Sequence, residues 1–333
     1  MMNKRLKQGT TFLLALALAF PLLTLPGARA ANAIETDRKC SVAFSVSGEG
    51  NELTDTGTDI TVNLYKVADV DVSGNYTATG AFTGLDVSSV RADNNDAAAS
   101  EWADRAKEAQ KMLKESVEPT ATVTLAKGIG SKDGLATGLY LVDTPEVVTT
   151  NYTYTFTPYL VSLPTNNYYS NGNDTWIYDL TDTNAIGLKP EEHARDGDLK
   201  INKTLANHNA TTGKKATFVF KIEITPLKGQ TETRIESLDF EAAGDSSVTI
   251  TKIPAGAKVK VTEVYSGASY KLTSVNDQTA TIVATDRGST NTPASVSFTN
   301  DIDDNMNGGY GVKNNFKLDE NDQYQYTKPA AKN

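Results

Sequence analysis

The chain has 333 residues, with 41 acidic against 32 basic side chains, 39% hydrophobic and 22% charged residues. This is the composition of an ordinary globular protein of about two domains. One Cys and two His exclude a Cys/His zinc cluster and leave little for a Ser-His-Asp or Cys-His nucleophile, so no metal and no cofactor are expected. The acidic balance speaks against nucleic acid, which is bound by basic surfaces.

Residues 1–30 have the three parts of a secretory signal peptide. Lys4, Arg5 and Lys7 open it, an unbroken apolar run extends from Phe12 to Phe20, and Ala28-Arg29-Ala30 puts small residues where a signal peptidase cuts. The alternative is an N-terminal anchor, but the run falls short of the about 20 apolar residues that a span needs. A secreted protein is expected, with no integral membrane segment in the mature chain. Cys40, the only cysteine, cannot form an internal disulfide.

From 35 to 190, alternating segments bounded by turn residues predict strands at 40–46, 59–67, 120–125, 138–142, 152–163 and 176–180. Residues 96–117 are rich in Ala, Glu and Lys. Trp102, Ala106, Ala109 and Leu113 share one face there, and Pro119 follows, which predicts one amphipathic packing helix. Tyr152, Tyr154, Tyr159, Tyr168, Tyr169 and Tyr178 cluster late in this part; they either pack or form a binding face. Residues 188–197 are polar and read as a linker.

A second series, 197–301, predicts strands at 198–205, 216–225, 234–240, 247–253, 258–265, 269–275, 279–284 and 294–300, the pattern of a β-sandwich. The expected fold class is therefore all-β: two Ig-like β-sandwich domains in tandem, with one helix inserted in the first. Residues 302–333 are rich in Asp, Asn and Gly and are expected to form a flexible polar tail. Asp303, Asn305, Asn307 and Gly308 match the start of a calcium loop, but its twelfth position is Asn314 rather than Glu.

Three polar residues in the second series fall on core-facing registers. Side chains alternate across a strand, so residues of one parity share a face. Lys203 shares parity with Leu199, Ile201 and Leu205; Glu263 with Val259, Val261 and Tyr265; Asn300 with Val296 and Phe298. Burial drives an amine toward its neutral form and a carboxyl toward its protonated form. A neutral amine is a nucleophile, and a protonated carboxyl can donate to an amide oxygen. Lys203 could thus attack the Asn300 carboxamide with help from Glu263, in a single self-modification that forms an isopeptide bond. The alternative is a satisfied buried ion pair.

Gly-Asp-Leu-Lys-Ile-Asn-Lys-Thr at 197–204, Ile-Pro-Ala-Gly at 253–256, Val-Thr-Glu at 261–263 and Ser-Phe-Thr-Asn at 297–300 resemble the Cna-B-like domains of Gram-positive surface proteins and pilins. That resemblance implies a cross-link between Lys203 and Asn300, promoted by Glu263. The first domain resembles the N-terminal domain of Gram-positive major pilins in three phrases: Val-Asn-Leu-Tyr-Lys-Val-Ala at 62–68, Gly-Leu-Tyr-Leu-Val-Asp at 138–143 and Thr-Pro-Tyr-Leu-Val-Ser-Leu-Pro at 157–164.

Two features depart from that pattern. Asp143-Thr144 stands where the family has an acid pair, and Cys40 stands on an apolar parity where a bond-forming lysine is usual. Lys66 and Asp143 are candidates for a second site, with an ion pair as the alternative. Lys189 loosely matches the pilin-motif lysine. No C-terminal sorting signal is read and Leu163-Pro164-Thr165 is internal, which puts sortase polymerisation and wall anchoring of this chain in doubt.

The expected function is a non-enzymatic structural subunit of a bacterial surface fibre at the cell surface, with other fibre subunits as partners. The alternative is a secreted adhesin that recognises a host protein or glycan through its first domain. A secreted hydrolase ranks below both, since no acid pair or nucleophile stands out.

Overall fold

The computed structural model describes residues 33–46, 52–55, 57–88, 95–166, 175–182, 185–209, 215–267, 269–286, 289–303, 315–318 and 324–327, with backbone alone at 55, 95–99, 315–318 and 324–327. The expected signal peptide at 1–30, Tyr168, Tyr169 and most of the calcium-like stretch lie outside the described residues. The protein is mostly β and divides into two compact units, Met1–His193 and Ala194–Asn333. No helix among the described residues is long and apolar enough to cross a membrane.

In chain order the first unit contains β1 (Cys40–Ser45), α1 (Glu52–Asp55), β2 (Ile60–Val70), β3 (Tyr76–Ala78), α2 (Asn95–Met112), β4 (Ala121–Leu125), β5 (Ile129–Leu135) and β6 (Gly138–Asp143). It continues with β7 (Val147–Val148), β8 (Tyr152–Phe156), β9 (Tyr159–Leu163), β10 (Thr165–Asn166), β11 (Trp176–Ile177), β12 (Asp179–Leu180), β13 (Ile186–Gly187) and β14 (Pro190–Ala194).

The main sheet runs β3-β2-β6-β9, with β4 also on β2. β6 is a nearly continuous apolar run because both of its faces are covered. On one face Ile60, Val62, Leu64, Tyr140 and Val142 pack with Cys40, Val42 and Phe44 of β1. On the other, Tyr65, Val67, Leu139, Leu141 and Leu160 pack with Ala106 and Ala109 of α2, against which Trp102 and Leu113 also lean. The helix is therefore a packing helix, and the small size of its two central alanines lets it lie close to the sheet.

Three elements differ from expectation. The single strand at 152–163 is two strands in different sheets, because Pro158 lacks an N–H and disfavours continuation at the residue before it. β5 was not anticipated: it is polar and mostly exposed, paired with β1, and shows no alternation. The stretch expected as a linker is largely strand, since β14 pairs with β8 and the next strand starts at Asp196.

The second unit is a β-sandwich. It comprises β15 (Asp196–Leu205), β16 (Ala216–Thr225), β17 (Glu232–Phe240), β18 (Gly244–Pro254), β19 (Lys258–Tyr265), β20 (Tyr270–Leu272), β21 (Gln278–Thr281) and β22 (Ala294–Ile302). These form two four-stranded sheets, β18-β15-β22-β20 and β17-β16-β19-β21. Strict alternation on β15 and β16 sends Leu199, Ile201, Phe218, Phe220, Ile222 and Ile224 into one core. The first and last strands of the sandwich, β15 and β22, lie side by side in parallel, with Lys203 opposite Phe298 and Leu205 opposite Asn300. Beyond it, the expected flexible tail contains a two-stranded hairpin, β23 (Asn315–Leu318) with β24 (Tyr324–Thr327).

Candidate functional site

Lys203 and Asn300 come from neighbouring strands of one sheet, two positions out of direct register, so their side chains meet diagonally on the inner face. Glu263 comes from β19 in the facing sheet, opposite Phe220. All three are buried, Lys203 at 1% exposure, Glu263 at 7% and Asn300 at 0%. Tyr265, expected on the same face as Glu263, is turned outward and half exposed. A bulge between its pairing with Val219 and that of Glu263 with Phe220 adds a residue and reverses the parity.

Within the site, Lys203 Nζ donates to Glu263 Oε2 at 2.7 Å and to Asn300 Oδ1. Asn300 Nδ2 donates to Glu263 Oε1 at 2.6 Å. One carboxyl group thus touches both nitrogens, that of the lysine amine and that of the carboxamide. Glu263 accepts from the carboxamide nitrogen rather than donating to its oxygen, which differs from the sequence expectation. Each Glu263 oxygen accepts one N–H donor in this arrangement.

The surroundings are apolar and aromatic. Nζ lies 4.4 Å from the centre of the Phe218 ring and 5.9 Å from that of Phe220. Phe220 in turn stacks at 5.2 Å on Phe298, two residues before Asn300. Loss of water on burial pulls the Lys203 amine below its ordinary pKa; its hydrogen bond to Glu263 and the charge of that residue oppose the shift but are smaller. Phe218 and Phe220 are legible in the sequence as core residues of an alternating strand. Their place around the amine is not, because it depends on which strand faces which.

The weaker candidates in the first unit do not come together. Lys66 sits opposite Tyr140, and its Nζ pairs with Asp69 Oδ1 at 2.5 Å. Asp143 sits opposite Asn63 and accepts from Gln110 Nε2 at 2.6 Å. Lys189 is exposed between β13 and β14. Cys40 is fully buried in the core, and burial pushes its thiol up to about 11. It is therefore an inert packing residue at neutral pH. Tyr152, Tyr154 and Tyr178 are buried in the same core and form no exposed aromatic face. Among the described residues no group of acidic, His or Cys side chains is arranged to hold a metal.

Residues 199–303, which include all three members of the buried cluster, match a family described as a domain of unknown function, DUF5979. No curated protein sequence matches the chain. Among solved structures the chain is similar to Gram-positive pilins. The major pilin T-13 of Streptococcus pyogenes is 14% identical over 80% of this chain and 98% of its own, with a TM-score of 0.26. The major pilin SpaD of Corynebacterium diphtheriae is 12% identical over 83% of this chain and 100% of its own, also at 0.26. The TIE protein of Bacillus anthracis is 14% identical over 79% of this chain but only 34% of its own, at 0.31. At scores this low the fold of each unit rests on its own strand order.

Proposed function

We propose that this protein is a secreted structural subunit of a bacterial surface fibre, whose second unit is locked by an amide bond between the side chains of Lys203 and Asn300. The observation that carries the bond is the buried contact set in which the Glu263 carboxyl bridges Lys203 Nζ and Asn300 Nδ2. In the reaction, neutral Nζ attacks Cγ of Asn300. The Nζ–Cγ bond forms and the Cγ–Nδ2 bond breaks. One proton passes from Nζ through the Glu263 carboxyl to Nδ2, which leaves as ammonia. The rings of Phe218, Phe220 and Phe298 keep the cluster apolar, which favours the uncharged amine over ammonium. The event happens once per chain, so the protein carries out no turnover.

The fibre setting is proposed from the motif resemblances at 197–204, 253–256, 261–263 and 297–300, and export from residues 1–30. Intact-mass measurement tests the bond: the purified mature protein is expected to weigh about 17 Da less than its processed sequence, one ammonia. A folded mature protein of unreduced mass would remove the cross-link. Gold-labelled antibody on intact producing cells is expected to decorate filaments; label found only in the medium would count against the fibre.

A further inference from the structure

The connection between β20 and β21 crosses from the sheet that carries Lys203 and Asn300 to the sheet that carries Glu263. Both regular ladders stop short of the site on this side. The β19–β21 pairing ends at Val261 with Gln278, and the β20–β22 pairing begins at Leu272 with Asn300. The backbone groups of Glu263 and of residues 297–299 that face this gap find partners in the loop instead.

Asn276 replaces a strand for Glu263. Its Oδ1 accepts from the Glu263 N–H at 2.9 Å and its Nδ2 donates to the Glu263 carbonyl at 3.2 Å. Gln278 does the same for β22: its Oε1 accepts from Ser297 N–H at 3.0 Å and its Nε2 donates to the Ser297 carbonyl. Ser274 Oγ accepts from Thr299 N–H at 3.1 Å, and Thr273 N–H donates to the Thr299 carbonyl at 2.8 Å. Asp277, in the left-handed region at φ 53°, anchors the loop to β19 by accepting from Thr262 Oγ1 at 2.5 Å and pairing with Lys260 at 3.1 Å.

We propose that residues 273–278 are the positioning strap of the cross-linking reaction, with Asn276 fixing the acid strand and Gln278 fixing the strand that presents the carboxamide. The inference rests on the bond proposed above. Two carboxamides two residues apart hold the backbone of Glu263 and that of Ser297, three residues before Asn300. They thereby set the separation of the carboxyl from both reacting nitrogens. Neither touches a reacting atom. A small shift of either strand would lengthen the contacts through which the proton passes, and such misplacement is costly for an oriented intramolecular step.

Freshly synthesised full-length protein is followed by intact mass over time for the wild type, Asn276→Ala and Gln278→Ala. The wild type is expected to lose about 17 Da, and the variants to lose it roughly ten- to a hundredfold more slowly. Asn276→Asp, which keeps the acceptor for the Glu263 N–H, is expected to recover part of the rate. The same substitutions made in a Glu263→Ala background, where no bond forms, read their cost to folding alone through Tm. If Asn276→Ala does not fold, Gln278→Ala and Asn276→Asp carry the comparison. Variants that link at the wild-type rate overturn the strap and leave the bond standing. A wild type that never loses mass overturns the bond and the strap with it.

Discussion

Lys203 is held in a conflict that its own surroundings resolve. Burial lowers the pKa of its amine, while the neighbouring carboxyl favours the charged form, and burial is the larger effect. In the proposed reaction the neutral amine is the nucleophile, so the sign of the pH dependence follows directly. Bond formation in newly made protein is expected to speed up as pH rises and to level off below 10.5, the value of an unperturbed lysine. Time-resolved intact mass across a pH series reads this. A rate that climbs through that value in step with a free lysine would contradict the shift. Glu263 cannot be exchanged for a neutral acceptor without loss, because only a carboxyl can take a proton on one oxygen and return one from the other.

Among the elements, β15 shows how a sequence phrase and a packing constraint coincide. Gly197, its second residue, bridges Ala284; a Cβ there would run into the Val283 carbonyl oxygen and the Ile282 side chain. Gly197→Ala is expected to destabilise the second unit by about 1–3 kcal/mol, as overpacking of a closed contact does, and thermal or urea unfolding of that variant measures it. Much of the second unit was legible because its strands are half-buried and alternate cleanly, so that period 2 marks both the strand and its inner face. That is why Lys203, Glu263 and Asn300 stood out as polar residues on apolar registers. Tyr265 misled because a bulge, invisible in the hydrophobic pattern, turns the parity over at the end of β19. The pattern at 269–275 predicts a longer strand than β20, because residues 273–274 bond to Thr299 from a loop rather than a ladder; that at 279–284 outruns β21 because Ile282 bonds to the turn at Gly256 and Ala257 and Ala284 makes only an isolated bridge to Gly197. In the first unit β5 and β14 carried no signal: their polar residues pair through the backbone, and backbone pairing leaves no trace in composition.

For the molecule as a whole, what matters is where the proposed bond sits in the chain. Lys203 and Asn300 lie 97 positions apart, on the first and last strands of the sandwich. Closing a loop of that length removes unfolded-state entropy equivalent to about 4–5 kcal/mol, by analogy with a disulfide. Tension applied at the two ends of the second unit would pass along β15, through the amide and out along β22, without loading the strands between. In single-molecule pulling, the wild type is expected to show no extension from this unit. Glu263→Ala, left unlinked, is expected to unfold with a gain on the order of 320–350 Å, the extended length of the released residues. The same variant is expected to melt roughly 15 °C or more lower. A wild type that extends by the full amount would show that no bond bears the load.

The pairing of the first strand with the last also changes what a protease can achieve. With Lys203 joined to Asn300, the sandwich becomes a covalently closed ring with two tails, and the connections from β16 to β21 are all part of its circumference. A single cut anywhere on that circumference opens the ring but frees nothing, because both new ends stay attached through the amide. Two cuts are needed to release a fragment. In the proposed fibre, a subunit built this way and nicked on an exposed turn would still hold its neighbours together.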